Sequence, residues 1–157
     1  NLRMIYHYFG DKERLYLAVL ESAYSRIREQ EGKLDLPQAV PAEGMRALIR
    51  FTFDFFAANT DVLAIINGEP NVRAMTVPLI DTISNMLEQG ERERVFRRDL
   101  DPIQVYVSLV ALSQLHILNQ HTLSVIFDTD LAEPNWLAAR RQHVEDMIMS
   151  YLRTTGH

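Results

Sequence analysis

The residue types best suited to chemistry stand at the start of the chain. Tyr6, His7, Tyr8 and Phe9 run in a row into a Gly10-Asp11 turn, and Lys12 opens the helix after it. A short helix, a turn and a second helix with lysine in its first turn make a workable phosphate clamp. The second helix offers free N–H groups and the positive end of its dipole, Lys12 adds a charge, and Tyr6 or His7 can donate to phosphate oxygens. The competing use of such rings is to pack a small core. Tyr8 and Phe9 fit that use better, whereas composition alone leaves Tyr6, His7 and Lys12 open between the two.

Elsewhere the chemistry thins out. No cysteine is present, which removes disulfides, thiolate metal sites and a cysteine nucleophile. There is no glycine-rich phosphate loop and no His-Glu-x-x-His run. His143 lies near Glu145 and Asp146, but on a helix that reads as a surface one. His116 and His121 flank Asn119, and two histidines five positions apart do not share one helical face, so no metal site is expected there. The run "RERVFRR" reads as a solvated, salt-bridged turn. No metal and no cofactor are expected anywhere.

These residues must be positioned by helices, because helical periodicity dominates and no hairpin signal appears. Gly10 closes a first short helix and Asp11 caps the next, which runs to about Glu31 with Leu15, Val19, Leu20, Ala23 and Ile27 as its apolar stripe. "GKLDLPQAVP" breaks it. Helices are then expected over about 41–58, from Thr60 or Asp61 to about Asn67, from near Pro78 to about Glu91, from Asp101-Pro102 to about Asn119, and from Glu133-Pro134 to about Arg153. "FTFDFF" makes the first of these apolar nearly all round, hence central. "IQVYVSLVALSQLHIL" is apolar on most faces and should be buried on two sides. A body this small supplies too little cover for both, so a second copy is expected along the last two long helices, at Val107, Leu118, Leu123, Trp136, His143 and Met147.

The fold class is therefore all-α. No apolar run reaches the roughly 18 residues that a membrane-spanning helix needs, so no membrane partner is expected. The net charge of −5 is unevenly spread: residues 1–28 hold five basic and three acidic groups, and the remainder 11 basic and 18 acidic. The overall sign would ordinarily argue against nucleic acid, but the asymmetry suggests a small, mildly basic head on a large acidic body.

"IYHYFGDKERLYLAVLE" resembles the end of the helix-turn-helix of TetR-type transcriptional repressors, with Ile5, Tyr6, His7, Tyr8, Phe9, Lys12, Glu13, Leu15 and Tyr16 in register. "VFRRDLDPIQVYVSLVAL", "HTLSVIFDTDL" and "RRQHVEDMIMSYL" are similar to body segments of the same family. The resemblance implies that residues 1–31 are the end of a DNA-binding head with its connecting helix. Residues 32–157 would be a ligand-binding and dimerisation domain. Two further helices of the head would precede Asn1, and without them the chain is expected to bind DNA poorly. Met4 departs from the family, standing where a small hydroxyl residue is common.

Carried over residue by residue, Leu2, Arg3 and Met4 would face base edges or the nearby backbone of a double-stranded operator, and Tyr6, His7 and Lys12 would hold phosphates. Arg3 alone among them can contact guanine bidentately. Phe51, Phe55, Ile65, Glu69, Met86 and His116 are the candidates to line a cavity for a small organic effector, although a Phe or Met at helical spacing is more often plain core. The implied protein is a homodimeric repressor of the bacterial cytoplasm, released from its operator by a small molecule. The alternatives are a helical small-molecule binding protein without DNA function and, less favoured for want of polar clusters, a helical-bundle enzyme.

Overall fold

The protein is described as a computed structural model covering residue 4, residues 12–66 and residues 73–153. Seven α-helices make up these described residues. They are α1 (Lys12–Glu31), α2 (Pro41–Ala58), α3 (Thr60–Ile66), α4 (Arg73–Arg92), α5 (Pro102–Leu118), α6 (Gln120–Phe127) and α7 (Pro134–Leu152). Two 3₁₀ turns, Gly32–Leu34 and Leu36–Gln38, join α1 to α2.

Helix α2 is the axis of the arrangement. One side presents Met45, Leu48, Ile49 and Phe53 to a core completed by Ile83, Met86 and Leu87 of α4, Val105 and Leu109 of α5, and Val144, Ile148, Met149 and Leu152 of α7. The other side presents Phe55 and Phe56 to a smaller core with Ala23 of α1 and Val62 and Leu63 of α3. Burial on two sides is what "FTFDFF" requires, since its apolar residues leave only the edge through Glu43, Arg50 and Asp54 to face water. A carboxylate ties the larger core shut. Glu145 of α7 is buried and receives Arg50 through Nε and Nη2 at 2.6 and 2.9 Å and Arg46 through Nη1 at 2.7 Å. The hydrogen bonds from Arg50, before all else, hold its carboxyl below the usual carboxylate range.

Several helix starts follow from local chemistry. Asp101 caps α5 by accepting from the Ile103 N–H at 2.8 Å, and Glu133 caps α7 by accepting from the Trp136 N–H at 2.9 Å. Each cap is followed by proline at the first helical position, where its missing N–H costs nothing.

Other sequence expectations need correction. Pro78 lies inside α4, whose first turns precede it; a proline outside the first turn removes one backbone hydrogen bond, and packing overrides that cost. Helix α6 was not foreseen, because eight residues with no side-chain cap carry too little periodicity to read. In α1, Val19 is 40% exposed while Tyr24 is buried, so the inward stripe runs through Leu20, Ala23 and Tyr24. Glu145 is no surface residue, as the ion pairs show. The "RERVFRR" turn is not wholly solvated either. Phe96 is buried there, its backbone pairs with Arg153 as an isolated antiparallel bridge, and Arg97 places its guanidinium 3.7 Å over the Tyr151 ring. Finally, α5 is buried on one side only within a single chain.

The Phe96 ring reaches its place because Gly90 has no side chain. A Cβ on Gly90 would stand 2.1 Å from Phe96 Cδ2 and 2.7 Å from Cγ. Gly90→Ala is therefore expected to lose about 2 kcal/mol in chemical denaturation, overpacking outweighing the gain in helix propensity. Gly32→Ala, with nothing within 4 Å, should be neutral or slightly stabilising. Equal effects at the two positions would show that the Phe96 contact is not what matters.

Candidate functional site

Leu2, Arg3, Tyr6 and His7 lie outside the described residues, as does Glu69. Met4 is helical and 69% exposed, and Lys12 stands exposed at the start of α1. The long α1 then carries the chain from that end into the body. It is held there by the small core and by Arg26, which donates to Asn59 Oδ1 and lies 3.6 Å from Asp61 Oδ2. Asn59 in turn donates to the Phe55 carbonyl at 2.7 Å. The α2–α3 corner is thus fastened to α1 by side chains that sequence reasoning did not single out.

The candidate effector residues fall in different places. Phe51 and Phe55 pack at 5.8 Å between ring centroids and line a cleft of about 680 Å³ between α1 and α2. Its rim carries Arg50, which is committed to Glu145, and Asp54, which accepts from Arg141 at 2.7 Å. Met86 is buried in the larger core beside Gly44. Ile65 belongs to α3, and the structure describes nothing of its side chain. His116, 4% exposed, stacks on Phe53 at 5.0 Å with 13° between planes, and Trp136 of α7 tilts against it at 5.6 Å. The structure therefore brings Phe51 and Phe55 together, and separately His116 with Phe53 and Trp136.

The surroundings of His116 were only partly legible. Ser113, three residues earlier on α5, is fully buried on the same face, and that spacing alone could have flagged it. Among the described residues, neither Ser113 Oγ nor either ring nitrogen of His116 has a hydrogen-bond partner. Arg140 of α7 donates to the Leu112 carbonyl at 3.3 Å. Burial, with a smaller contribution from the Arg140 charge, pushes the His116 pKa down to about 4. The imidazole is accordingly neutral at pH 7, so that one nitrogen is able to donate and the other to accept.

The proposed dimer residues also divide. Val107 (53% exposed), Leu118 (52%) and Met147 (47%) stand out from the chain, with His143 also exposed. Leu123 and Trp136 are half-buried. Ile103, Leu115 and Tyr151, which the sequence reading left out, extend the exposed apolar surface of α5 and α7. Among the described residues no helix is long and apolar enough to cross a membrane.

The depressed His116 pKa has a consequence for stability. In the unfolded chain this histidine takes a proton as pH falls through about 6.5, whereas the folded chain resists until about 4. The neutral folded form is thus penalised progressively below pH 6.5, by roughly 3 kcal/mol at pH 4. His116→Phe is expected to flatten the fall in stability between pH 6.5 and 5, measured by urea denaturation at several pH values. An unchanged slope would place the His116 proton elsewhere.

Residues 41–148 match the family described as "Tetracyclin repressor-like, C-terminal domain". Over 164 residues the chain is 30% identical to the HTH-type transcriptional repressor NicS of Pseudomonas putida, covering 98% of this chain and 77% of that protein. The crystal structure of the TetR transcriptional regulator SCO0520 from Streptomyces coelicolor has the same fold, at a TM-score of 0.61 and 16% identity over 99% of this chain and 82% of that one. A body match of this extent, with 30% identity to a repressor along nearly the whole of this chain, agrees with the helical architecture built above: the chain belongs to the TetR-type family of transcriptional regulators.

Proposed function

We propose that this regulator is a homodimeric repressor that a small organic molecule releases from a double-stranded DNA operator. In this reading residues 1–31 are the end of the DNA-binding head and the helix that carries it, and residues 32–157 sense the effector and join two copies. The head contacts DNA through Leu2, Arg3, Met4, Tyr6, His7 and Lys12.

The observation that carries the two-copy part is the uncovered apolar face of α5 and α7. Ile103, Val107, Leu115 and Leu118 of α5, with Met147 and Tyr151 of α7, are each about half exposed. So large an apolar patch on a water-soluble surface marks an interaction site, and an isologous pairing of two helices from each copy would cover it. Two heads on one dimer then meet two half-sites, which is how helix-turn-helix proteins gain reach along a duplex. Helix α1 supplies the link: its far end carries the head, and its near end is fastened to the α2–α3 corner through Arg26 and the small core. A ligand that shifts those packed helices need bias the head positions by only about 1–3 kcal/mol to release DNA.

Val107→Arg tests the arrangement directly. The side chain is exposed within one chain, so the variant should keep its helical circular dichroism, run as a monomer in size exclusion with light scattering, and lose retention of its operator in a gel shift. A wild-type protein that is monomeric at micromolar concentration, or a Val107→Arg variant that still dimerises, would contradict the proposal.

A further inference from the structure

Three buried polar atoms remain unused by the packing. Ser113 Oγ and both ring nitrogens of His116 sit on one inward face of α5, in residues that are 0% and 4% exposed, without a hydrogen-bond partner among the described residues. Orphaned buried groups are destabilising, and native interiors retain few of them. Ring packing is already satisfied, with Phe53 parallel to the imidazole and Trp136 tilted against it. Only the hydrogen-bonding edge is left over. An alanine and a phenylalanine would fill the same space without this cost.

A third group has spare donors. Arg140 of α7 places one N–H on the Leu112 carbonyl at 3.3 Å and, among the described residues, meets no carboxylate. It is half-buried, and that burial works against its charge. Its charge reaches His116. A serine hydroxyl, an imidazole N–H and a guanidinium fork are all able to donate, and what they lack is an acceptor carrying negative charge.

We propose that Ser113, His116 and Arg140 form the polar end of the effector site, and that this site takes a small organic acid. Its carboxylate oxygens accept from the three side chains, and its apolar body lies beside Trp136. The proposal rests on the reading of the protein as a ligand-responsive regulator and names the chemistry of the ligand. It moves the centre of the site to the α5–α7 junction, away from the Phe51–Phe55 cleft. The same α5 and α7 carry the proposed dimer face, so an acid bound here would act on the pairing of the two copies as well as on the core.

The experiment uses the full-length protein in thermal-shift measurements. Benzoate and hexanoate serve as probes, against their uncharged counterparts benzamide and hexanamide, on wild type, Ser113→Ala, His116→Phe and Arg140→Met. Without probe, Ser113→Ala and His116→Phe should melt at or above the wild-type temperature, because orphaned polar atoms are removed. At least one acid should raise the wild-type melting temperature more than its amide does. Its apparent affinity should fall at least tenfold in each variant. Lower melting of the two unliganded variants would mean that ordered water satisfies these groups structurally, and would overturn the proposal. So would an acid response that the variants leave unchanged, an amide response equal to that of the acid, or no response to either acid. Operator retention measured on the same wild-type samples separates the two levels. Retained operator binding without an acid response sinks the site and leaves the regulator; an acid response through these residues without operator binding does the reverse.

Discussion

Helix α2 can face water along one narrow edge only, and the rest of the arrangement depends on that constraint. Its apolar residues cover the other sides, so neighbours must close over them, and they do so as two unequal cores. The larger is sealed by α4, α5 and α7; the smaller is sealed by α1 and α3. The polar residues that α2 does carry are spent on one edge, where Arg46 and Arg50 converge on Glu145 and Asp54 meets Arg141. A buried carboxylate between two guanidinium groups adds little net stability beyond an apolar replacement, but removing one partner leaves a charge stranded. Its effect here is to fix the rotation and height of α7 against α2. With α7 so placed, Met147 and Tyr151 stand exposed on its outer side, and its inner face brings Arg140 and Trp136 to α5.

The two cores hold different helices. The larger core fixes α5 and α7, whose outer sides carry exposed apolar residues. The smaller core fixes α1 against α2 and α3. Helix α2 belongs to both cores, and Arg26 and Asn59 fasten the α2–α3 corner to α1. Packed helices shift as units, and interfaces between them have few stable settings.

Much of this was legible in the sequence because local chemistry determined it. Asp101-Pro102 and Glu133-Pro134 are start signals whose caps form as read, and "FTFDFF" placed α2 at the centre. The failures have physical causes. Pro78 points to a first turn because that is the commoner place for a helix proline, yet α4 begins earlier, at Arg73, and packing tolerates the proline inside it. Glu145 looked like a surface residue because its partners lie 95 and 99 positions away, and no local pattern announces an ion pair of that range. His116 stood out by its type, but Ser113 and Arg140 acquire meaning only when α5 and α7 are side by side. The head is legible only as a resemblance to the end of a helix-turn-helix, and most of the residues that carry it lie outside the described ones.

The central claim is that ligand and operator oppose one another through this body, and linkage makes the opposition reciprocal. The most direct measurement is calorimetric titration of the full-length dimer, free and saturated with its operator duplex, with the compound that stabilises it most. The account predicts that the operator-bound protein binds the compound about 5- to 150-fold more weakly, corresponding to a coupling of about 1–3 kcal/mol. Equal affinities in the two states would contradict it.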